Sequence, residues 1–220
     1  MPTVIGVTEP QAQIRSRQWA SWDYLLQDHR DFPFRSFPTA YLLAEADIKS
    51  DMTLPLQGIR ILAISQYGAG PFATMHLADL GAEVVKIEDP STHGDSARDV
   101  IPYTQENDSL FYQSFNRNKK SITLNLRNPL GREVFEKLVR VSDVVFNNLR
   151  GDQHAKLGLN YESLKSLNPK IVCCSLSGFG TTGRKVVEPS YDYIIQAYTG
   201  LQSITGDPGT PPTRAGISII

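Results

Sequence analysis

Two glycines stand between an apolar run and a predicted helix, a pattern typical of a loop that binds an anionic group. Gly68 and Gly70 lie in the sequence QYGAGP at residues 66–71, directly after the apolar residues 59–65. Glycine lets the backbone approach a ligand closely, and a helix N-terminus offers unpaired N–H groups and a positive dipole to a phosphate. The loop therefore predicts a phosphate-bearing ligand.

The same loop leaves two other interpretations open. The spacing Gly68-x-Gly70-x-x-Ala73, with Glu88 after the next apolar run, matches the fingerprint of a dinucleotide-binding domain. An NAD-dependent oxidoreductase is therefore one alternative, because such an acid accepts hydrogen bonds from a ribose. A tight turn with no ligand is the other, since glycines also serve that purpose alone.

Strands and helices alternate along the chain from Leu54, and these elements must hold the loop in place. Short runs rich in Ile, Val and Leu predict strands at residues 59–65, 82–88, 144–146, 171–176 and 216–220. Helices are predicted at residues 71–80, from residue 129, and at residues 161–167. This alternation predicts an α/β fold with a Rossmann-like, doubly wound, mainly parallel sheet, whose ligands bind at the carboxyl ends of the strands.

The helix that begins at Pro129 has the clearest local signals. Asn128 is its predicted N-cap. Its predicted sheet-facing stripe is Leu130, Val134, Leu138 and Val141. Gly81 is expected to end the first helix. Functional residues are expected in the loops that follow strands, at residues 66–71, 147–151 and 178–183.

Composition excludes several classes of protein. The 220 residues carry 22 basic and 23 acidic side chains, so their net charge of −1 provides no general field for nucleic acid. No apolar stretch reaches the ~18 residues of a membrane-spanning helix. Cys173 and Cys174 would point to opposite faces of one strand, so we expect no disulfide and a reducing compartment. His76, His93 and His154 have no companion at metal-ligand spacing, so no metal site is expected.

Residues 1–52 differ from the rest of the chain. Prolines punctuate them and their aromatic and charged residues show no clean periodicity, which predicts an irregular N-terminal extension. Residues 53–220 are then a separate α/β domain.

Motifs spread over residues 54–220 resemble the N-terminal half of the class III CoA-transferases, the family of formyl-CoA transferase, carnitine CoA-transferase and α-methylacyl-CoA racemase. The motifs are LQGIRIL at 56–62, AGPFAT at 69–74, LGAEVVKIE at 80–88, NRNKKS at 116–121, SGFG at 177–180, YD at 191–192, TGL at 199–201 and TG at 205–206. The resemblance implies that residues 53–220 are the incomplete large domain of that fold. It also implies that the glycine loop binds coenzyme A rather than NAD.

The resemblance also implies a set of coenzyme A contacts. Along the pantetheine and the diphosphate they are Gln66, Gly68, Ala69 and Gly70. Around the adenine and a phosphate they are Leu124, Arg127, Asn148, Lys156 and Leu157.

Two departures from the family pattern remove phosphate-binding charge. Asp89 and Pro189 stand where formyl-CoA transferase has an arginine and a lysine. A solvated basic face remains the alternative interpretation of Arg127 and Lys156, and of the neighbouring lysines at 119–120.

The chemistry that the resemblance implies is covalent. In the family, an aspartate attacks an acyl-CoA thioester to give a mixed anhydride, coenzyme A returns to form an aspartyl thioester, and the incoming carboxylic acid exchanges with it. That aspartate is expected directly after Ile220, so no catalytic residue is assigned within this sequence, and Asp192 is only a weak substitute. Tyr191 stands where the racemases have a catalytic histidine, and a phenol, with an unperturbed pKa of about 10, is a poor base at neutral pH, so the resemblance favours transfer over racemisation.

The resemblance covers only half of a family enzyme, which carries a second domain and a segment that links two subunits. Three accounts follow: a truncated coding sequence, a short protein that acts with another chain, and a remnant that binds coenzyme A without turnover. The expected partners are an acyl-CoA and a carboxylic acid, with a second copy or a complementing chain. Coenzyme A is expected as a substrate rather than a permanent cofactor. An intracellular, cytoplasmic location is expected, with mitochondria or peroxisomes as alternatives.

Overall fold

The computed structural model describes residues 14–15, 53–105 and 108–218. The predicted extension, residues 1–52, lies outside the described residues except for the short strand β1. The strands are β1 (Ile14–Arg15), β2 (Arg60–Ile64), β3 (Glu83–Glu88), β4 (Thr104–Gln105), β5 (Asp108–Ser109), β6 (Lys119–Thr123), β7 (Val144–Asn147) and β8 (Val172–Ser175). The helices are α1 (Ala69–Asp79), α2 (Leu110–Asn116), α3 (Pro129–Val139), α4 (Gln153–Lys156), α5 (Tyr161–Leu164) and α6 (Asp192–Tyr198).

One sheet organises the domain, in the order β1-β6-β3-β2-β7-β8. All neighbours from β6 to β8 are parallel, and β1 adds an antiparallel edge. Starting from β2, the chain adds β3 and β6 on one side and β7 and β8 on the other, so the strand order reverses between β2 and β7. This confirms the predicted doubly wound sheet, and it places the ligand-binding crevice after β2 and β7.

The sheet is covered on both faces. Along β2, Leu62 packs with Phe135 of α3, whereas its neighbours Ile61 and Ala63 pack with Ala78 of α1. Strand geometry explains this split because successive side chains point to opposite faces. The two buried layers hold β2 and β7 in the centre of the domain.

The predicted buried stripe of α3 is wrong in part. Asn128 caps the helix as predicted, since its side chain accepts a hydrogen bond from the N–H of Leu130. The helix, however, buries Phe135 and Val139, with Leu138 partly buried beside them. The side chains at 130, 134 and 141 are exposed. The helix carries apolar residues on more than one face, and the sheet covers the face that bears the aromatic ring.

Two other elements differ from the sequence prediction. Helix α5 ends at Leu164 rather than at residue 167, and Leu164 itself packs in the core. Residues 216–218 form no strand, and residues 219–220 lie outside the described part. Gly81 follows α1 with a φ of +99°, in the left-handed conformation expected of a helix-ending glycine.

Candidate functional site

A cleft of about 510 Å³ opens at the point where the strand order reverses. Its apolar walls are Ile64, Ile87, Leu124, Leu126, Leu149 and Leu157. Polar side chains, among them Arg127 and Arg150, line the rest. A largely aliphatic slot with a few polar groups is the usual form of a site for a small organic ligand.

The loops after β2 and β7 are joined directly across this crevice. The side-chain amide of Asn148 accepts a hydrogen bond from the N–H of Gln66 at 2.8 Å and donates one to its carbonyl oxygen at 2.8 Å. Gly70 permits this approach, because a Cβ atom there would lie 2.6 Å from Cγ of Asn148. Glycine is therefore needed at position 70 so that the loop after β7 can pack closely against the loop after β2.

A buried ion pair holds the glycine loop from beneath. Lys86 donates to the carbonyl oxygen of Ser65 at 2.6 Å and to Oδ2 of Asp95 at 2.7 Å, and both charged side chains are 1% exposed. Oδ1 of Asp95 accepts hydrogen bonds from the N–H groups of Tyr67 and Ala97. Tyr67 has a φ of +65°, a conformation that a tyrosine adopts only under constraint. The pair thus fixes the backbone where the loop leaves β2.

Glu88 is the candidate ribose-binding acid of the NAD alternative, but its carboxylate is already hydrogen-bonded within the protein. Its carboxylate accepts hydrogen bonds from the Arg98 guanidinium, Tyr112, Ser121 and the N–H of Asp95. These bonds use about all the positions that a carboxylate offers. Burial by itself would raise the pKa of Glu88, but the Arg98 hydrogen bonds and the charges of Lys86 and Arg98 lower it to about 2. The residue is a structural anchor, which disfavours a ribose contact.

The cations at the rim of the cleft are exposed and carry acidic partners. Arg127 lies 3.6 Å from Asp89, the residue that departs from the family pattern. Arg150 and Lys156 both bind Asp152, each at 2.6 Å. Hydrogen bonds from Arg150 and then Lys156 hold the pKa of Asp152 below its usual range. Exposed pairs of this kind exchange readily for other partners, since each contributes little free energy.

Four of the nine sequence-predicted ligand residues line the cleft: Gln66, Leu124, Arg127 and Leu157. Gly68, Ala69 and Gly70 lie beside it, at the N-cap and in the first turn of α1. The side-chain amide of Asn148 hydrogen-bonds the backbone of Gln66. Asn148 therefore lies between the two loops and not in the slot. Lys156 does not line the slot, and its ammonium group binds Asp152.

Sequence reasoning missed several residues of the cleft. Leu149, Arg150 and Gln153 line it just after β7, and Ser65 lines it just after β2. Leu149 and Arg150 could have been predicted, because both lie in the loop 147–151, where functional residues were expected. For Ser65, the sequence offered only one indication, a polar residue at the end of an apolar run.

The lysines at 119 and 120 are not ligand candidates in this structure. Lys119 is 5% exposed and donates to oxygens of Pro71, Phe115 and Asn116, so the solvated-face interpretation is wrong for it. Burial, together with the charge of Lys86, lowers the pKa of Lys119 to about 7. Lys120 is exposed and binds Glu83.

Asp192 lies in the first turn of α6, as predicted for a helix N-terminal residue. Its carboxylate accepts a hydrogen bond from the buried side chain of Gln196, which in turn accepts one from the N–H of Ala215. This chain of contacts ties α6 to the segment near residue 215. Tyr191, the N-cap residue of α6, lies near the glycine loop, with its ring centroid 6.1 Å from that of Tyr67.

Within the described residues, no group of three His, Cys, Asp or Glu side chains could hold a metal ion. No helix in that same part is long and apolar enough to cross a membrane. Cys173 and Cys174 are both free thiols on β8.

The fold and the cleft together define a doubly wound α/β domain with a cleft at the point where its strand order reverses, and comparison with known proteins identifies its family. The model of CoA-transferase family III matches residues 56–220. The chain therefore belongs to this family, and the resemblance of its motifs is confirmed.

Relatives share the sequence over about three quarters of this chain. The succinate–glutarate CoA-transferase of Agrobacterium fabrum is 42% identical over 170 residues, covering 75% of this chain and 42% of the relative. The human succinyl-CoA:glutarate CoA-transferase is 40% identical over 173 residues, covering 78% and 39%. The acetyl-CoA:oxalate CoA-transferase of Acetobacter aceti is 43% identical over 162 residues, covering 74% and 41%. The chain spans about two fifths of the length of these relatives.

Among solved structures, a CAIB/BAIF family protein from Brucella suis superposes with a TM-score of 0.70 at 37% identity. The match covers 76% of this chain and 45% of that protein.

Proposed function

We propose that this chain binds coenzyme A across the cleft between the loops after β2 and β7, as part of an enzyme that transfers coenzyme A from an acyl-CoA to a free carboxylic acid. The observation that carries the proposal is the joined pair of loops, Gln66 to Asn148, beside an aliphatic slot at the reversal point of a family III sheet.

The chemistry of coenzyme A suits the parts of this cleft. Its diphosphate fits the N-terminus of α1, where no side chain caps the first N–H groups. Its adenine fits the aliphatic slot around Leu124 and Leu157. Its remaining phosphate fits the rim, where Arg127 and Arg150 can exchange their carboxylate partners for a phosphate.

The proposed acceptor is a dicarboxylic acid. Succinate, glutarate and oxalate, which appear in the names of the relatives, all carry two carboxyl groups. Transfer would proceed through an aspartyl anhydride and an aspartyl thioester, with the nucleophile expected after Ile220. The proposal includes an intracellular, cytoplasmic protein that acts as a homodimer or with a complementing chain.

Two binding measurements test the ligand. Calorimetric titration should show that the chain binds coenzyme A, and NAD at the same concentration should not bind. Coenzyme A should also raise the melting temperature, because a ligand that binds only the folded state stabilises it. Tighter binding of NAD would overturn the proposal in favour of an oxidoreductase.

A second experiment separates the transferase from its alternative, a subunit that binds coenzyme A without turnover. Succinyl-CoA and glutarate are incubated with the chain, and hydroxylamine traps any acyl group held on a carboxylate. Exchange that is lost in Asp192→Asn but kept in Asp207→Asn would assign the reaction to Asp192. Binding without exchange supports the alternative, a subunit that binds coenzyme A without turnover.

A further inference from the structure

Helix α4 contributes to one wall of the cleft, and it is too short to be stable alone. Its four residues, Gln153–Lys156, follow the loop after β7. Gln153 and the C-cap residue Leu157 both line the cleft. An isolated helix of fewer than about 12 residues is marginal in water, and no side chain caps the N-terminus of α4. Contacts from other elements must therefore hold this wall in place.

Arg132 of α3 supplies such a contact where the chain leaves α4. Its guanidinium group donates to the carbonyl oxygen of Leu157 at 2.7 Å. Both of its terminal nitrogens also donate to the carbonyl oxygen of Gly158, at 3.4 and 3.3 Å. Carbonyl groups at the C-terminus of a helix lack partners within the helix, and a cation beside them also interacts favourably with the helix dipole. Arg132 thus binds the backbone on both sides of the peptide bond that follows Leu157.

The guanidinium group is itself held by its surroundings. Its Nε atom donates to Oε1 of Glu136, one turn further along α3, at 2.9 Å. Its central carbon lies 5.1 Å from the ring centroid of Phe135, which is fully buried. Gly158 leaves room for the group, because a Cβ atom there would lie 3.1 Å from both terminal nitrogens. These contacts restrict Arg132 to one arrangement, in contrast to the exposed Arg127 at the rim.

We propose that Arg132 is a positioning residue for coenzyme A, and that it acts by holding Leu157 in the wall of the cleft. Arg132 does not line the cleft itself, whereas Leu157 does. Leu157 also packs against the buried cluster that contains Leu124, the other aliphatic residue assigned above to the adenine. This inference rests on the proposed coenzyme A site, and it adds to that site a residue that acts without touching the ligand.

Two substitutions of Arg132 test the inference, with a matched control on the same helix. Arg132→Gln removes the cation and its paired contacts to the two carbonyl groups. Arg132→Lys keeps the charge but loses the planar fork that contacts both carbonyl groups at once. Lys137→Gln is the control, because it makes the same change of charge on α3, where the Lys137 ammonium group binds the exposed Glu133 at 2.7 Å.

Binding is measured by titration with coenzyme A and with 3′,5′-ADP, which lacks the pantetheine arm. Arg132→Gln should weaken coenzyme A binding by about tenfold and Arg132→Lys by about threefold, because a charge-assisted contact to the cleft wall is lost or reduced. Lys137→Gln should change the affinity by less than about twofold, since its pair is exposed. The losses should be as large for 3′,5′-ADP, because Leu157 belongs to the proposed adenine end of the site.

A double-mutant cycle separates positioning from a general loss of stability. Leu157→Ala removes the side chain that Arg132 is proposed to hold, and it should weaken coenzyme A binding by about tenfold. Adding Arg132→Gln to Leu157→Ala should then weaken binding by no more than about a further twofold, because no side chain remains to be positioned. Two independent losses would instead multiply to about a hundredfold. If Arg132→Gln does not fold, Arg132→Lys replaces it, and its threefold loss should disappear when Leu157 is alanine.

The outcomes distinguish this inference from the function on which it rests. If Arg132→Gln lowers the melting temperature but binds coenzyme A as tightly as the unmodified chain, Arg132 only stabilises the fold and the inference is wrong. Losses that multiply in the cycle also overturn it, as does a loss for coenzyme A without a loss for 3′,5′-ADP. In these cases the unmodified chain still binds coenzyme A, so the proposed function stands. If the unmodified chain binds neither ligand, the proposed function fails first and the inference fails with it.

Discussion

The floor and the rim of the cleft use charged side chains in contrasting ways. On the floor, the Lys86 and Asp95 side chains are both 1% exposed, and they bind each other and the backbone groups that they fix. At the rim, the Arg127 side chain is 65% exposed and lies 3.6 Å from its partner. The floor charges are unavailable to a ligand, whereas the rim charges are available after a partner is displaced.

This contrast shows how one cleft can be both rigid and able to bind a highly charged ligand. A buried pair that loses one member leaves an uncompensated charge, so the floor has a single stable arrangement. An exposed pair contributes about 0–1 kcal/mol and is screened by salt, so the rim can rearrange at little cost. The floor should therefore determine stability and the rim should determine affinity.

The substitution Asp95→Asn tests most strongly whether the floor determines the stability of the domain. It removes the charge that balances Lys86 and disturbs the hydrogen bonds to the N–H groups of Tyr67 and Ala97. We expect the free energy of unfolding to fall by about 3–5 kcal/mol, measured by urea denaturation. Glu133→Gln, which breaks an exposed pair with Lys137, should change it by about 0.5 kcal/mol or less. Equal effects would show that the floor is no more important to the fold than the surface.

The floor also predicts how stability depends on pH. The pKa of Glu88 is lowered from 4.5 to about 2 in the folded chain. The ionised carboxylate is thus favoured by folding, and its stabilisation is complete above the unfolded value and lost as the pH falls from about 4.5 towards 2. The loss amounts to about 3 kcal/mol.

Urea unfolding measured across the acidic range should reveal this loss. Glu88→Gln should start from a lower stability at neutral pH and show a shallower decline in acid. Glu133→Gln should retain the full decline, because that side chain lies on the surface. An undiminished decline in Glu88→Gln would mean that other carboxyl groups control acid unfolding.

A smaller effect is expected where the two loops meet. Alanine normally stabilises a helix relative to glycine by about 1 kcal/mol. Gly70→Ala should instead lower the free energy of unfolding by about 1–3 kcal/mol, because its Cβ would press on the Asn148 side chain. Coenzyme A affinity should fall with it, as measured by titration. Gly216→Ala is the control, since nothing lies within 4 Å of a Cβ there, and it should leave both quantities unchanged.

Local sequence patterns predicted four of the sheet's strands but not β6, and they did not predict every orientation. The apolar runs around residues 59–65 and 82–88 form β2 and β3, as expected because short runs of β-branched and aliphatic residues are typical of buried strands. The face of α3 was predicted wrongly, since periodicity proposes several apolar stripes and only the packed sheet selects Phe135 and Val139. The buried face of a helix is therefore harder to predict from an apolar stripe than the presence of a strand is from an apolar run.

The site was predictable as a place and less so as a set of contacts. The glycine loop and the loop after β7 could be located from the order of elements and from the family motifs. The bonds between Gln66 and Asn148 join residues 82 positions apart, and no local pattern encodes them. Lys86, inside an apolar strand, is likewise explained only by Asp95, which a turn brings beneath the loop.

The finest test of the comparison is at the rim, with Asp152→Asn. This carboxylate binds both Arg150 and Lys156, so it competes with a phosphate for two cations. Its neutralisation should tighten coenzyme A binding by about three- to tenfold at low salt, and the gain should shrink as salt screens the freed charges. The free energy of unfolding should change by about 0.5 kcal/mol or less, because both cations of these pairs are solvent-exposed. Glu162→Gln, which frees Lys165 in an exposed pair that does not line the cleft, controls for a general change in net charge. Weaker binding in Asp152→Asn would mean that the acid holds the two cations in their binding positions, and the rim would then be as preorganised as the floor.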